Sequence, residues 1–172
     1  MILVRRFPTF SDVVVTMRRM ARYWSRHPVI RDLAHLYMCY RECRFEELFD
    51  YVKGRTRFRR DPVGTETLRS PFDVLGLQPG TLTPIAAHGW ADCDDVAVLL
   101  AAVLLAMHER DPRFSVRFVF ARPVGAAEPT HVFVEAFHPR SGWIALDPLF
   151  TNRPGEIAPS LARGWMLERV SV

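Results

Sequence analysis

Twelve consecutive residues, Val96 to Met107, carry no polar side chain. A surface helix would show polar residues on its outer face, and this run has no such face. Its leucines and alanines favour helix, and it is too short to span a bilayer, which takes about 18 apolar residues or more. The reading is a core helix, buried on most sides. Its start and stop are marked. Asp92 is the N-cap candidate, and Asp94 and Asp95 fall in the first turn, where carboxylates suit the positive end of the helix dipole. His108-Glu109-Arg110-Asp111-Pro112 then ends it with polar residues and a proline.

The residue at the head of this helix is Cys93, within Gly89-Trp90-Ala91-Asp92-Cys93-Asp94-Asp95. Unpaired backbone N–H groups and the dipole favour thiolate at a helix N-terminus. The three aspartates oppose it, since negative charge raises a thiol pKa. A positive partner is therefore expected, and His131 as imidazolium is the natural one.

His131 opens a strand-like run, His131-Val132-Phe133-Val134-Glu135-Ala136-Phe137. Alternate residues place His131, Phe133, Glu135 and Phe137 on one face and Val132, Val134 and Ala136 on the other. His138-Pro139-Arg140-Ser141-Gly142 has turn chemistry. Trp143-Ile144-Ala145-Leu146-Asp147 reads as the returning strand, closed by Pro148. A hairpin brings the first residue of one strand beside the last of the next, so His131 and Asp147 are expected at one sheet edge. A thiol, a base and a carboxylate that orients the base form the arrangement of cysteine-dependent acyl transfer. The Cys93 N–H would be one oxyanion donor, and Gln78 and Trp90 are the candidates for the second.

These motifs resemble the transglutaminase-like branch of the papain-like cysteine enzymes. That family shows a Gly-x-Cys-x-Asp-like helix start, a His-opened strand such as His-Val-Tyr-Val-Glu, and a strand ending Trp-x-x-x-Asp-Pro. Here the matching residues are Asp92-Cys93-Asp94-Asp95, His131-Val132-Phe133-Val134-Glu135 and Trp143-Ile144-Ala145-Leu146-Asp147-Pro148. Ala91 stands near the cysteine where a glycine is usual. The resemblance covers Gly89 to Pro148 and implies a papain-like core. It also implies a peptidase or amidohydrolase with Cys93, His131 and Asp147 as triad, no cofactor, no metal, and a peptide or protein amide as substrate. Upstream, Phe49-Asp50-Tyr51-Val52-Lys53, Arg60-Asp61-Pro62, Glu66 and Ser70-Pro71 look like transglutaminase-like proteins of tailed phages and prophages. That implies an alternative: a structural or assembly protein of a virion, partnered by other phage structural proteins, with the fold as scaffold.

The rest of the chain supplies the framework. Ser11 is a candidate cap for a helix to about Ser25, with Val14, Met17, Ala21 and Trp24 inward and Arg18, Arg19, Arg22 and Arg26 on the polar side. A second helix is expected from Val29 to Tyr40, with Ile30, Leu33, Ala34 and Met38 inward, and a third segment from Phe45 to Val52. Arg57 to Arg60 reads as extended, and Thr65 to Thr83 as loop-rich with a short helical piece at Phe72–Leu75. A strand is expected over Ser115 to Arg122. Pro123 to Pro129 reads as a flexible loop placed to gate the site, and the tail after Leu149 shows little periodicity. Helices, then a cysteine helix, then an antiparallel sheet make an α+β chain. The 172 residues fit one domain, with a helical part over about 11–54 and a core over about 89–148.

Charge and composition exclude more than they assign. With 49% apolar and 24% charged residues the chain reads as an ordinary soluble protein. No secretory h-region is evident near Met1 to Val15, and three cysteines are too few for a disulfide scaffold. A cytoplasmic setting is expected, or a virion if the chain is phage-encoded. Lys53 is the sole lysine, which reads as coding bias. Arg55, Arg57, Arg59 and Arg60 with Phe58 form a basic cluster, but no nucleic-acid motif accompanies it, so a solvated edge is preferred and no nucleic-acid partner is expected. His35, Cys39 and Cys43 recur at i, i+4, i+8, a spacing that lines one helix face. Core packing is the preferred reading over zinc, which needs a fourth ligand.

Overall fold

The computed structural model describes residues 3–5, 9–39, 42–62, 66–158, 161 and 164–172, with the side chains of 3–5, 39, 42–43 and 66 left aside. The architecture is α+β. In chain order the elements are β1 (Leu3–Arg5), α1 (Phe10–Ser25), α2 (Pro28–Tyr37), β2 (Met38–Cys39), β3 (Glu42–Cys43), α3 (Phe45–Arg55), β4 (Thr56–Phe58) and β5 (Glu66–Leu68). There follow α4 (Pro71–Leu75), β6 (Gly89–Ala91), α5 (Cys93–His108), β7 (Ser115–Pro123), β8 (His131–His138), β9 (Gly142–Leu146) and β10 (Trp165–Ser171). The main sheet is antiparallel in the order β10-β7-β8-β9, and β4 pairs with β6 in parallel.

The apolar run is α5, and its burial is complete from Val96 to Leu104. It packs against α1 and α2 on the helical side and against β7 and β8 on the other. Covered by helices and sheet together, it has no outward face on which a polar residue would be favourable. Val132, Val134 and Ala136 of β8 and Val116, Phe118 and Phe120 of β7 meet it in one core. The opposite face of β8 carries Phe133, packed with Val119, Ala121, Ala145, Ala158 and Leu161. Alternation thus divides β8 as the sequence expects, but both faces are covered at its start.

Several boundaries differ from the sequence reading. The cap of α1 is Thr9, not Ser11: its Oγ1 accepts from the Asp12 N–H at 3.3 Å and donates to Asp12 Oδ2 at 2.7 Å. Helix α2 stops at Tyr37, because the Tyr37 carbonyl accepts from the Arg44 N–H at 3.0 Å and closes a short β2–β3 ladder. Cys39 and Cys43 therefore lie on paired strands, and the shared helix face proposed for them with His35 does not form. The tail holds a strand: β10 pairs with β7 over its whole own length, from Trp165↔Pro123 to Ser171↔Arg117. The loop before β8 is tied down, with Arg122 donating to the Ala126 carbonyl at 3.0 Å and the Val124 N–H to the Gly164 carbonyl at 3.0 Å.

The strand that delivers Cys93, β6, lies hard against the end of α4. A Cβ on Gly89 would fall 2.1 Å from the Asp73 carbonyl oxygen, so only glycine fits there. Gly76 ends α4 in the left-handed region at φ 61°. The glycine of the Gly89-to-Asp95 motif thus serves the approach of two backbones four residues ahead of the cysteine, while Ala91 is wholly buried in β6.

Candidate functional site

Asp92 precedes α5 in extended conformation, and its N–H donates to Asp95 Oδ2 at 3.3 Å, the return half of a capping box. Asp95 is held in turn by Arg69, whose N–H donates to Oδ1 at 2.6 Å and whose guanidinium pairs with Oδ2. The other arm of Arg69 reaches Asp61 Oδ1 at 2.8 Å. Burial disfavours the charge on Arg69, but the hydrogen bonds and charges of Asp95 and Asp61 outweigh it and hold the guanidinium protonated. Burial, followed by the charge of Asp92, raises the Asp95 carboxyl, and Arg69 opposes that rise. The helix start is thereby clamped to Arg69, just beyond β5, and through it to Asp61.

Cys93 is the first residue of α5 and partly exposed. Its N–H has no intrahelical partner, as for any first-turn residue. The Val132 main-chain N–H, one residue beyond His131, is the group that favours charge on its sulfur. The electrostatics run against the thiolate expected from the sequence. Burial pushes the thiol well up, and the charges of Asp94, Asp92 and Asp147 add to the rise, with only the Val132 amide working the other way. A neutral thiol is the resting form. No hydrogen bond joins the sulfur to the imidazole among the described residues.

At the sheet edge the expected pairing forms. His131 Nε2 lies 2.7 Å from Asp147 Oδ2, both side chains being nearly buried although 16 positions apart. With Nε2 donating to a carboxylate, Nδ1 is left as the acceptor of the ring. The ring is packed by Phe133, stacked at 5.9 Å, and by Phe150, edge-on at 4.8 Å. Asp147 is anchored through its own main chain: its carbonyl accepts from the Thr151 N–H at 3.0 Å and the Thr151 hydroxyl at 2.8 Å. Lys53 of α3 donates to the carbonyls of Pro148 and Thr151. The sole lysine, read from the sequence as coding bias, clamps the loop that follows Asp147.

The proposed second oxyanion donors stand apart. Gln78 sits in an exposed turn, where its N–H donates to the Thr83 carbonyl at 2.8 Å. Trp90 points outward from β6, 48% exposed, with its ring edge-on to His88 at 5.2 Å. Among the described residues neither makes a hydrogen bond or ring contact with Cys93, His131 or Asp147. Of the basic cluster, Arg55 is structural: it forks onto the carbonyls of Leu75, Gly76 and Ala87 at 2.7–3.1 Å and closes the end of α4. Arg57, Arg59 and Arg60 remain exposed. His35 is paired with Arg110, and the side chains of Cys39 and Cys43 lie outside the described residues.

Asp92, Asp94 and Asp95 bring carboxylate oxygens within 4.8 Å of one another. Arg69 and the backbone N–H of Asp92 already engage both oxygens of Asp95, so the cluster is cross-linked by the protein itself. No helix among the described residues is long and apolar enough to cross a membrane. Compared with known proteins, the chain matches no family model, no curated protein and no solved structure.

Proposed function

We propose that the protein is a cysteine-dependent acyl-transfer enzyme acting on amide bonds, as a peptidase or amidohydrolase built on a papain-like core. One observation carries the reading: His131 and Asp147 are joined at 2.7 Å at the start of β8, a strand that packs against the helix that Cys93 begins. In the proposed reaction His131 Nδ1 takes the thiol proton as the sulfur attacks the substrate carbonyl. The tetrahedral oxygen is held by the Cys93 N–H. The C–N bond then breaks, the amine leaves with the proton carried by His131, and a thioester remains on Cys93. Water or a second amine attacks that thioester, again through His131, giving hydrolysis or transfer. Because the resting thiol is neutral, the proton moves to His131 during attack and not beforehand. Asp147 keeps Nε2 protonated and so fixes the basic nitrogen.

A second reading has its own support. A thiol held neutral, with no hydrogen bond to the imidazole among the described residues, also suits a scaffold, as in a virion structural or assembly protein. Two measurements separate the readings. The first is turnover of a panel of peptide anilides by wild type and by Cys93→Ala. The second is peptide mapping of the adduct left on Cys93 by an acyl-donor ester. The enzyme reading expects Cys93-dependent turnover and a thioester on Cys93. Equal rates in wild type and Cys93→Ala, with no adduct, would sink it and leave the scaffold.

A further inference from the structure

The loop leaving Asp147 and β4, the strand paired with β6, meet outside the constellation through two phenylalanines. Phe150 packs edge-on against His131 at 4.8 Å, and Phe58 packs against Phe150 at 5.6 Å with the rings 65° apart. Phe58 stands abreast of Ala91 in the β4–β6 pairing, two residues before Cys93. The Arg59 N–H extends that pairing by donating to the Ala91 carbonyl at 2.8 Å. Yet Phe58 is 46% and Phe150 47% exposed. Two contacting aromatics left open beside a base already paired with its carboxylate are unfavourable unless something covers them.

Their charged surroundings are one-sided. Arg57, Arg59 and Arg60 flank Phe58 and are all exposed. Asp61, next in the chain, is engaged by Arg69, and Asp92, beside the strand partner Ala91, is buried beneath the helix start. We infer that Phe58 and Phe150 form an apolar subsite beside His131, and that it accepts a large apolar or aromatic side chain of an extended, acidic peptide whose carboxylates meet Arg57 and Arg59. The choice of a peptide as occupant rests on the acyl-transfer reading. The aromatic pair supplies apolar contact and the arginines supply long-range attraction and register.

The test uses the full chain carrying Cys93→Ala, so that no turnover intervenes, and fluorescence anisotropy with four labelled probes. These are an acidic decapeptide with a central phenylalanine, the same peptide with alanine there, a basic decapeptide with a central phenylalanine, and a ten-nucleotide oligothymidine. The acidic phenylalanine peptide should bind about tenfold tighter than its alanine counterpart, the fold-change that covering one aromatic side chain supplies, and tighter than the basic peptide, which the arginines repel. Phe58→Ala and Phe150→Ala should each remove about that tenfold preference, while Phe58→Leu, which keeps an apolar side chain and the fold, should retain most of it. Arg57→Glu with Arg59→Glu should turn the preference toward the basic peptide. Equal binding of all three peptides, indifference to Phe58→Ala, or tighter binding of oligothymidine would each overturn the inference. Selective peptide binding without turnover by wild type would keep the subsite and end the acyl-transfer reading. Cys93-dependent turnover of small anilides with no peptide preference would do the reverse.

Discussion

Strand β8 begins and ends with a histidine, and the two ends have opposite characters. Both rings pack against two aromatic residues: His131 against Phe133 and Phe150, His138 against Phe45 and Phe114 at 5.9 Å each. At the His138 end, Nδ1 accepts from the exposed N–H of Arg140 at 3.2 Å, a local turn contact. A cavity of about 450 Å³ opens there, lined by Arg44, Phe45, Glu46, Glu47, His138 and Ser141. At the His131 end there is instead a nearly buried carboxylate at 2.7 Å, anchored by Thr151 and by the clamp of Lys53. Aromatic packing makes a structural histidine at either end. The anchored acid stands beside His131, and in the proposed reaction it equips that ring as the base, so the cavity at the other end does not mark the chemistry.

The largest expected effect breaks the pair at its functional end. His131→Ala should lower amide turnover by about 10²–10⁴-fold, the usual contribution of a general base. His138→Ala should leave turnover within a few-fold, because its ring contacts no reacting group. Asp147→Asn should fall on the His131 side, with a loss of the order of 10⁴ from the wrong tautomer. Turnover of the three variants, each checked for native circular dichroism, decides it. Equal losses from His131→Ala and His138→Ala would show that the contrast between the ends is one of packing only.

The next effect is on stability and has the opposite polarity. Phe45 is 5% exposed, so Phe45→Ala should cost about 3–5 kcal/mol in denaturant unfolding. Phe150→Ala at the His131 end, starting nearly half exposed, should cost about 1 kcal/mol or less. If Phe150→Ala proved the more damaging, the open aromatic pair would be a core element and not a surface one. Between the ends, truncating the wholly buried Leu100 of α5 by Leu100→Ala should cost about 2–5 kcal/mol, without selecting either.

The parts legible in the sequence are those whose cause is local. The apolar run from Val96 to Met107 could only be a covered helix, and Asp92 marked its start. His131 and Asp147 were placed together because a hairpin's ends meet whatever else the chain does. What stayed hidden depends on partners far along the chain. Arg69 and Asp95 are 26 positions apart, and Lys53 and Thr151 98 apart, with no spacing rule to join them. β10 is a mostly exposed edge strand, so its alternation is weak and its pairing with β7 comes from the sheet, not from its own pattern. The thiol's protonation is hidden for a related reason. The helix dipole and the aspartates can be read from sequence, but the burial that dominates them belongs to the assembled core.

That burial sets the last and smallest expected effect, on the pH dependence of thiol alkylation. A thiol raised in the folded state carries less thiolate at any given pH than the same thiol unfolded. Iodoacetamide should therefore label Cys93 more slowly in the native protein than in urea at pH 8, and the native rate should climb only above the ordinary thiol range near 8.5. The sign for stability follows: the neutral thiol's contribution is complete below that ordinary value and is lost as pH rises beyond it. Burial is the leading cause, so Asp94→Asn, which removes the next largest, should shift the labelling profile down only modestly. His131→Ala should leave the profile where it is, since the imidazole is not among the groups that set the thiol. A wild-type profile lying below the free-thiol range, and moving up on His131→Ala, would instead establish a thiolate–imidazolium pair. It would also reverse the contrast drawn here, making the helix start, and not the His131–Asp147 edge alone, the preformed part of the site.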